Sequence, residues 1–219
     1  MRLFEGLLDP AIGLSSGPIA DVRGEPLMPA ELAAVAQAVD RRRDEFAAGR
    51  AHARRALAAL GLPPVSLPPR ADRTPSWPAG FTGSITHDAT HAAAAVVRLG
   101  PEWRAVGIDL EPDDPLDASL VPEVCTSDER AWLDRHAVDL QGQLARVIFS
   151  AKESAFKCQF VLTRRMLEFS EVRVALDVAN GTFRATLLTP TTALPAGTTI
   201  DGRFRRRSGK IETAAALRA

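Results

Sequence analysis

The chain has 219 residues, 46% of them apolar, which is enough for one large domain or two small ones with a proper core. Acidic and basic residues balance at 27 each, so no global positive field points to nucleic acid or an anionic membrane, and any anion site must come from local clustering. Cys125 and Cys158 stand far apart without metal-ligand spacing, which argues against a disulfide framework and a zinc site. Glu5 and Asp9 interrupt the apolar amino-terminal stretch and no run reaches membrane-spanning length, so an unprocessed cytoplasmic protein is expected.

From Pro29 to Leu60, apolar residues recur at three- and four-residue steps between an opening Pro29 and a closing Gly61, predicting one long helix or two joined ones. Arg43, Arg50 and Arg54 share a side of it, either as a solvated face or as an anion patch. The proline-rich segment LPPVSLPPRADRTPSWPAG follows as extended surface backbone. Next come strand-like GSITH, AAAAVVRL and AVGIDLE, then a short helix near Asp128 to His136 and a stronger one from about Leu140 to Phe160. Four more strand-like runs, VRVALDV, TFRATLL, TIDGRFRR and KIETAAAL, complete the chain, with Asn180-Gly181 as a hairpin signal. Helix-then-sheet thus occurs twice, which predicts an α+β fold of two similar halves meeting near residue 112.

Three constellations carry chemistry. On a strand from Ala105 to Glu111, Val106, Ile108 and Leu110 face one way and Gly107, Asp109 and Glu111 the other. Two neighbouring carboxylates suit a hard cation such as magnesium, or else mark a solvated acidic strand end. In the later helix, Ser150, Glu153, Ser154 and Lys157 follow helical spacing opposite an apolar stripe. There, Glu153 and Lys157 form either a surface pair worth about 0.3–0.5 kcal/mol or a third metal oxygen beside a phosphate-neutralising ammonium. Only Lys152, Lys157 and Lys210 among the basic residues are lysines, and the first two cluster here, by chance or because a compact ammonium is wanted. Finally, Ser84, Thr86 and His87 place hydroxyls beside an imidazole, fit for a phosphate or for a structural role. No G-x-S-x-G elbow frames a serine, which disfavours a hydrolase.

In this order, RRDEFAAGRAHARRAL (42–57), RTPSWPAGFTGSITH (73–87), VGIDLE (106–111) and FSAKESAFK (149–157) resemble the 4′-phosphopantetheinyl transferase superfamily. The resemblance is to its longer, pseudo-dimeric class, which activates siderophore, polyketide and nonribosomal peptide synthetases. It implies two pseudo-twofold related halves, 1–112 and 113–219, each with a small mainly antiparallel sheet and a long helix, and coenzyme A bound between them. It implies a magnesium or manganese ion on Asp109, Glu111 and Glu153. It places Arg42 and Arg50 near the adenosine 3′-phosphate, the Arg70 to Pro75 loop with Arg70 and Arg73 on the nucleotide, Thr86 and His87 on phosphate, and Lys152 and Lys157 on the pyrophosphate. Glu153 is then the candidate base, and Lys157 and His87 stabilise the developing charge. The implied partner is a serine of an apo acyl or peptidyl carrier protein, docking on Arg164, Arg165, Met166, Leu167 and Phe169, with a monomeric enzyme and no nucleic-acid or membrane partner. Many relatives carry a bulkier residue at Phe149 or Ser150. Two rivals use the same residues: a magnesium-dependent phosphohydrolase or nuclease, and a noncatalytic coenzyme A-binding module.

Overall fold

The computed structural model describes residues 2–219. Strand β1 (Gly13–Pro18) leads through a 3₁₀ turn to helix α1 (Pro29–Leu32), and a second 3₁₀ turn over Ala33–Val35 precedes helix α2 (Asp40–Ala59). The Pro29 to Leu60 periodicity therefore resolves into two joined helices. Strands β2 (Phe81–His87) and β3 (His91–Arg98) complete an antiparallel three-stranded sheet in the order β1-β3-β2. The middle strand shows why HAAAAVVR suits its place. Ala94 and Val96 join Ala53, Ala56 and Leu57 of α2 in one core cluster, while Ala93, Ala95 and Val97 enter another on the opposite face. Both faces of β3 are covered, and its small side chains let both layers approach. Over Gly13–Pro18 the sequence GLSSGP has weak β propensity, and its pairing with β3 supplies what propensity does not.

Strand β4 (Trp103–Pro112) falls within residues 1–112, yet it ladders with the last strand of the chain. After α3 (Val121–Val124), α4 (Ser127–Leu133) and the long α5 (Val138–Thr163), strands β5 (Val172–Asp177), β6 (Thr182–Leu187), β7 (Thr199–Arg207) and β8 (Lys210–Arg218) form an antiparallel sheet in the order β4-β8-β7-β6-β5. Helix α5 packs on it through Leu144, Val147, Ile148, Ala151, Ala155 and Cys158, the stripe expected from sequence. Each sheet thus carries one long helix.

The two sheets meet at the free edge of β4. Ser84 Oγ accepts from the Ile108 amide at 3.1 Å, and Thr86 Oγ1 accepts from the Leu110 amide at 3.1 Å. Side-chain hydroxyls on alternate residues of β2 stand in for a backbone ladder, so buried amides are satisfied where two strands touch without pairing. Between the sheets lie Val106, Ile108, Leu110 and the fully buried Leu3 and Phe4. The amino-terminal segment is held there by β7, since Arg205 donates to the Glu5 carbonyl and Arg207 to the Arg2 carbonyl. Both arginines also pair with the fully buried Glu212.

Candidate active site

Helix α5 crosses β4 at Gly107. A Cβ there would stand 1.9 Å from the Ser154 carbonyl oxygen, so only glycine lets the helix backbone come so near. This approach sets Asp109, one residue further on the same strand face, directly under α5. Ser150 Oγ donates to Asp109 Oδ2 at 2.8 Å, and Lys157 Nζ donates to Oδ1 at 2.6 Å and to the Ile108 carbonyl at 3.2 Å. Lys157 therefore pairs across elements with Asp109, in place of the i,i+4 bridge to Glu153. Ser150 and Ser154, expected on a polar surface, are fully buried because that side of the helix faces β4.

The three expected metal carboxylates feel one another's charge. Burial first, then the neighbouring Asp109, pushes Glu111 up to about 7, against the opposing Arg146 and Lys157. Burial likewise raises Glu153; Lys157 opposes this and Asp109 adds to it. Arg146 Nη1 donates to Glu111 at 3.1 Å. Among the described residues Glu153 has no hydrogen-bond or ion-pair partner, and no three His, Cys, Asp or Glu side chains are gathered tightly enough to hold an ion as they stand. By chemistry the set still fits a hard divalent cation: three oxygen donors, one of them unpartnered, with two held above their ordinary pKa by desolvation and mutual repulsion, the stress a cation relieves.

Beside them opens a cavity of about 310 Å³, lined by Arg42, Arg50, Arg73, His87 and Lys157 together with Glu45. Arg42 Nη1 donates to His87 Nε2 at 3.1 Å, which requires a neutral imidazole. Burial lowers the His87 pKa, Arg42 and Lys157 lower it further, and Glu45 opposes them. Burial pushes the Glu45 carboxyl up, but its bond from Arg41 and the charges of Arg41 and Arg42 bring it below its ordinary value. Sequence reasoning missed Glu45; its place one helical turn after Arg41 and Arg42 was the available signal. Arg50 lines the cavity from beneath, with its Nε donating to the Leu67 carbonyl at 2.6 Å and its guanidinium over the Phe46 ring. A larger cavity, about 930 Å³, lies on the far face of the second sheet, where Arg184 and Arg218 are already paired with Asp201 and Asp9.

Several expected residues are elsewhere. Lys152 is 2% exposed, and its ammonium donates at 2.8 Å to each of the Glu129 carboxylate, the Val124 carbonyl and the Phe169 carbonyl. All three donors are used inside the second half, so Lys152 meets no phosphate. Thr86 does not line the cavity either, because strand alternation turns it to the Leu110 amide while His87 faces the opening. Arg70 lines a different cavity from Arg73. Arg54 joins neither a solvated face nor an anion patch: it pairs with the fully buried Glu31, which also accepts from the Leu67 amide at 2.7 Å. The expected docking patch splits up: Arg165 pairs with Glu171, Arg164 with Asp72, and Leu167 and Phe169 pack on the core, leaving Met166 exposed. No helix among the described residues is long and apolar enough to cross a membrane.

An arginine-lined cavity bordered by Lys157, itself paired with Asp109, has the chemistry of an enzyme that handles phosphate groups. Residues 28–97 match the model of the 4′-phosphopantetheinyl transferase N-terminal domain, and residues 105–199 match that of the 4′-phosphopantetheinyl transferase superfamily. The chain is 39% identical to 4′-phosphopantetheinyl transferase Svp of Streptomyces mobaraensis over 96% of its own length and 87% of the relative's. It is 37% identical to the transferase Npt of Nocardia iowensis over 86% and 88% of the two chains, and 34% identical to PptT of Mycobacterium tuberculosis over 90% and 89%. The chain belongs to the 4′-phosphopantetheinyl transferase superfamily and is a transferase of phosphopantetheine.

Proposed function

We propose that the enzyme transfers 4′-phosphopantetheine from coenzyme A to a serine hydroxyl of an apo acyl or peptidyl carrier protein, releasing adenosine 3′,5′-bisphosphate. The observation that carries this reading is the junction of the cationic cavity, with Arg42, Arg50, Arg73 and His87, to the Lys157–Asp109 pair and the strained carboxylates Glu111 and Glu153. The 3′-phosphate and the diphosphate of coenzyme A, with a nucleophile beside the latter, need both ends of such a cleft.

Arg42 and Arg50 hold the nucleotide's 3′-phosphate, and Arg73 the nucleotide itself. His87, kept neutral by burial and by Arg42, donates to a phosphate oxygen, and Lys157 spreads its charge over the pyrophosphate. The serine oxygen forms a bond to the pantetheine-side phosphorus as the bond to the bisphosphate oxygen breaks. Glu153, the one carboxylate of the three that no side chain occupies, takes the proton leaving the serine. A magnesium or manganese ion held by Asp109, Glu111 and Glu153 supplies charge neutralisation for the phosphates. In-line positioning by rigid β4 and α5 supplies much of the rest.

Siderophore, polyketide or nonribosomal peptide carriers are the expected protein substrates; relatives include enterobactin synthase component D of Salmonella typhimurium, 38% identical over 53% of this chain. The test is mass spectrometry of an apo carrier domain incubated with enzyme, coenzyme A and magnesium. A gain of one phosphopantetheine is expected from the wild type, and a loss of rate of at least about a hundredfold in Asp109→Ala and Glu153→Ala. Full activity in both variants rejects the assigned roles, and no transfer by the wild type to any of a panel of carriers rejects the reading.

A further inference from the structure

The 70–77 segment is a wall shared by two cavities. Thr74, Pro75 and Trp77 line both the catalytic cavity and a second one of about 260 Å³, and Val161 of α5 lines both from the other half. Three arginines, Arg70, Arg104 and Arg164, open onto the second cavity, and no carboxylate does. Among the described residues the Arg70 and Arg104 guanidinium groups make no hydrogen bond or ion pair. Arg164 is partly engaged, with Nη1 donating to Asp72 Oδ2 at 3.0 Å and Thr74 Oγ1 at 3.2 Å. The floor is apolar, formed by Phe81, Leu99 and Leu162, and the Trp77 indole N–H behind it is buried without a partner. Many of the chain's other guanidinium groups are spent on carboxylates or carbonyls, as for Arg43, Arg54, Arg165 and Arg205.

Arg70 and Arg104, with an Arg164 that Asp72 only partly occupies, repel across one concavity until an anion or water screens them. Each guanidinium offers five donors in a planar fork that matches phosphate bidentately, and three forks exceed the acceptor capacity of a lone carboxylate. An apolar floor adds room for the organic body of a phosphomonoester.

We propose that this cavity is a second anion site, distinct from the catalytic cleft, that binds a phosphate group or small phosphomonoester and couples to the cleft through the 70–77 wall. Arg70 and Arg164 are attached to that wall, so an occupant that draws them changes how Arg73 and Thr74 face the catalytic cavity. The coupling rests on the coenzyme A reading above; the binding itself does not.

The experiment uses the full chain without coenzyme A, titrated with inorganic phosphate and, separately, with glycerol 2-phosphate. It follows the Trp77 indole N–H resonance, assigned with Trp77→Phe, and the dissociation constant by calorimetry. Because Trp77 lines both cavities and the cleft also takes phosphate, the decisive reading is made in Arg42→Ala: phosphate is expected to shift the resonance there still, and Arg70→Ala/Arg104→Ala, added to it, to weaken that binding at least about tenfold. Tighter binding of glycerol 2-phosphate assigns the site to an organic phosphomonoester, and equal binding assigns it to the phosphate alone. Should the double variant misfold by circular dichroism, Arg104→Ala alone, which breaks no bond, must still weaken binding severalfold. The proposal is overturned if phosphate leaves Trp77 unmoved, if the arginine variants bind as the wild type does, or if Arg42→Ala is the variant that loses binding. A chain that transfers nothing can still pass this test, so the two readings fail separately.

Discussion

Lys152 and Lys157, five residues apart in one motif, have different partners, Glu129 and Asp109. Replacing Lys152 with methionine keeps the length and apolar stem but removes the ammonium, leaving the 2% exposed Glu129 charge and two buried carbonyls without their shared donor. Removing one partner of a buried ion pair costs about 3–5 kcal/mol. For a chain of this size each kcal/mol moves the midpoint by about 2–4 °C, so Lys152→Met should melt about 6–20 °C lower. Neutralising the other partner too, in Lys152→Met/Glu129→Gln, should recover part of the loss, because the uncompensated charge is gone. Thermal and urea unfolding by circular dichroism measure both, alongside transfer assayed well below the midpoint. The folded Lys152→Met enzyme should keep turnover within a few-fold, since Lys152 lies outside the cavity. An unchanged melting temperature combined with abolished transfer would refute this reasoning and return Lys152 to the phosphates.

Gly107→Ala should destabilise the chain by about 2 kcal/mol or more, and reduce transfer in the fraction that folds, because its Cβ must displace the α5 backbone at Ser154 and with it the Lys157–Asp109 register; wild-type stability and rate would contradict the close crossing. Arg42→Ala should weaken coenzyme A binding about tenfold by calorimetry, and an unchanged dissociation constant removes Arg42 from the site. His52 is 1% exposed, and burial, helped by Arg55, pushes its pKa down to about 4 from 6.5. Because the folded-state value lies below the unfolded one, this ring's contribution is complete above pH 6.5 and about 3 kcal/mol of it is lost as pH falls to 4. In His52→Leu, the pH dependence of urea stability over that interval should be shallower by that amount, and parallel curves for the two proteins would show that His52 does not titrate as described.

Much of the fold was legible because hydrophobic period and punctuation agreed: the apolar stripe of α5, the Asn180-Gly181 hairpin and the alternation of VGIDLE all lie where expected. That the later helix packs beside the Asp109 strand was anticipated from residue type and order, whereas the Lys157–Asp109 pair and the Arg42–His87 bond were not. Less visible were roles decided by a partner remote in sequence. Lys152 and Lys157 sit five residues apart on one helix, yet α4 claims the first and β4 the second, and no local pattern distinguishes them. Thr86 looked like a phosphate ligand because the unpaired edge of β4 that it satisfies exists only once the sheets meet. Strand β1 has a sequence typical of a turn and owes its conformation to β3.

The central claim is that Asp109, Glu111 and Glu153 serve a single divalent ion. Manganese binding to the coenzyme A complex, followed by electron paramagnetic resonance with Asp109→Ala, Glu111→Gln and Glu153→Gln in parallel, tests it most directly. One ion per chain is expected in the wild type, with each substitution weakening it about tenfold or more. Unaltered manganese affinity in all three variants would contradict the account.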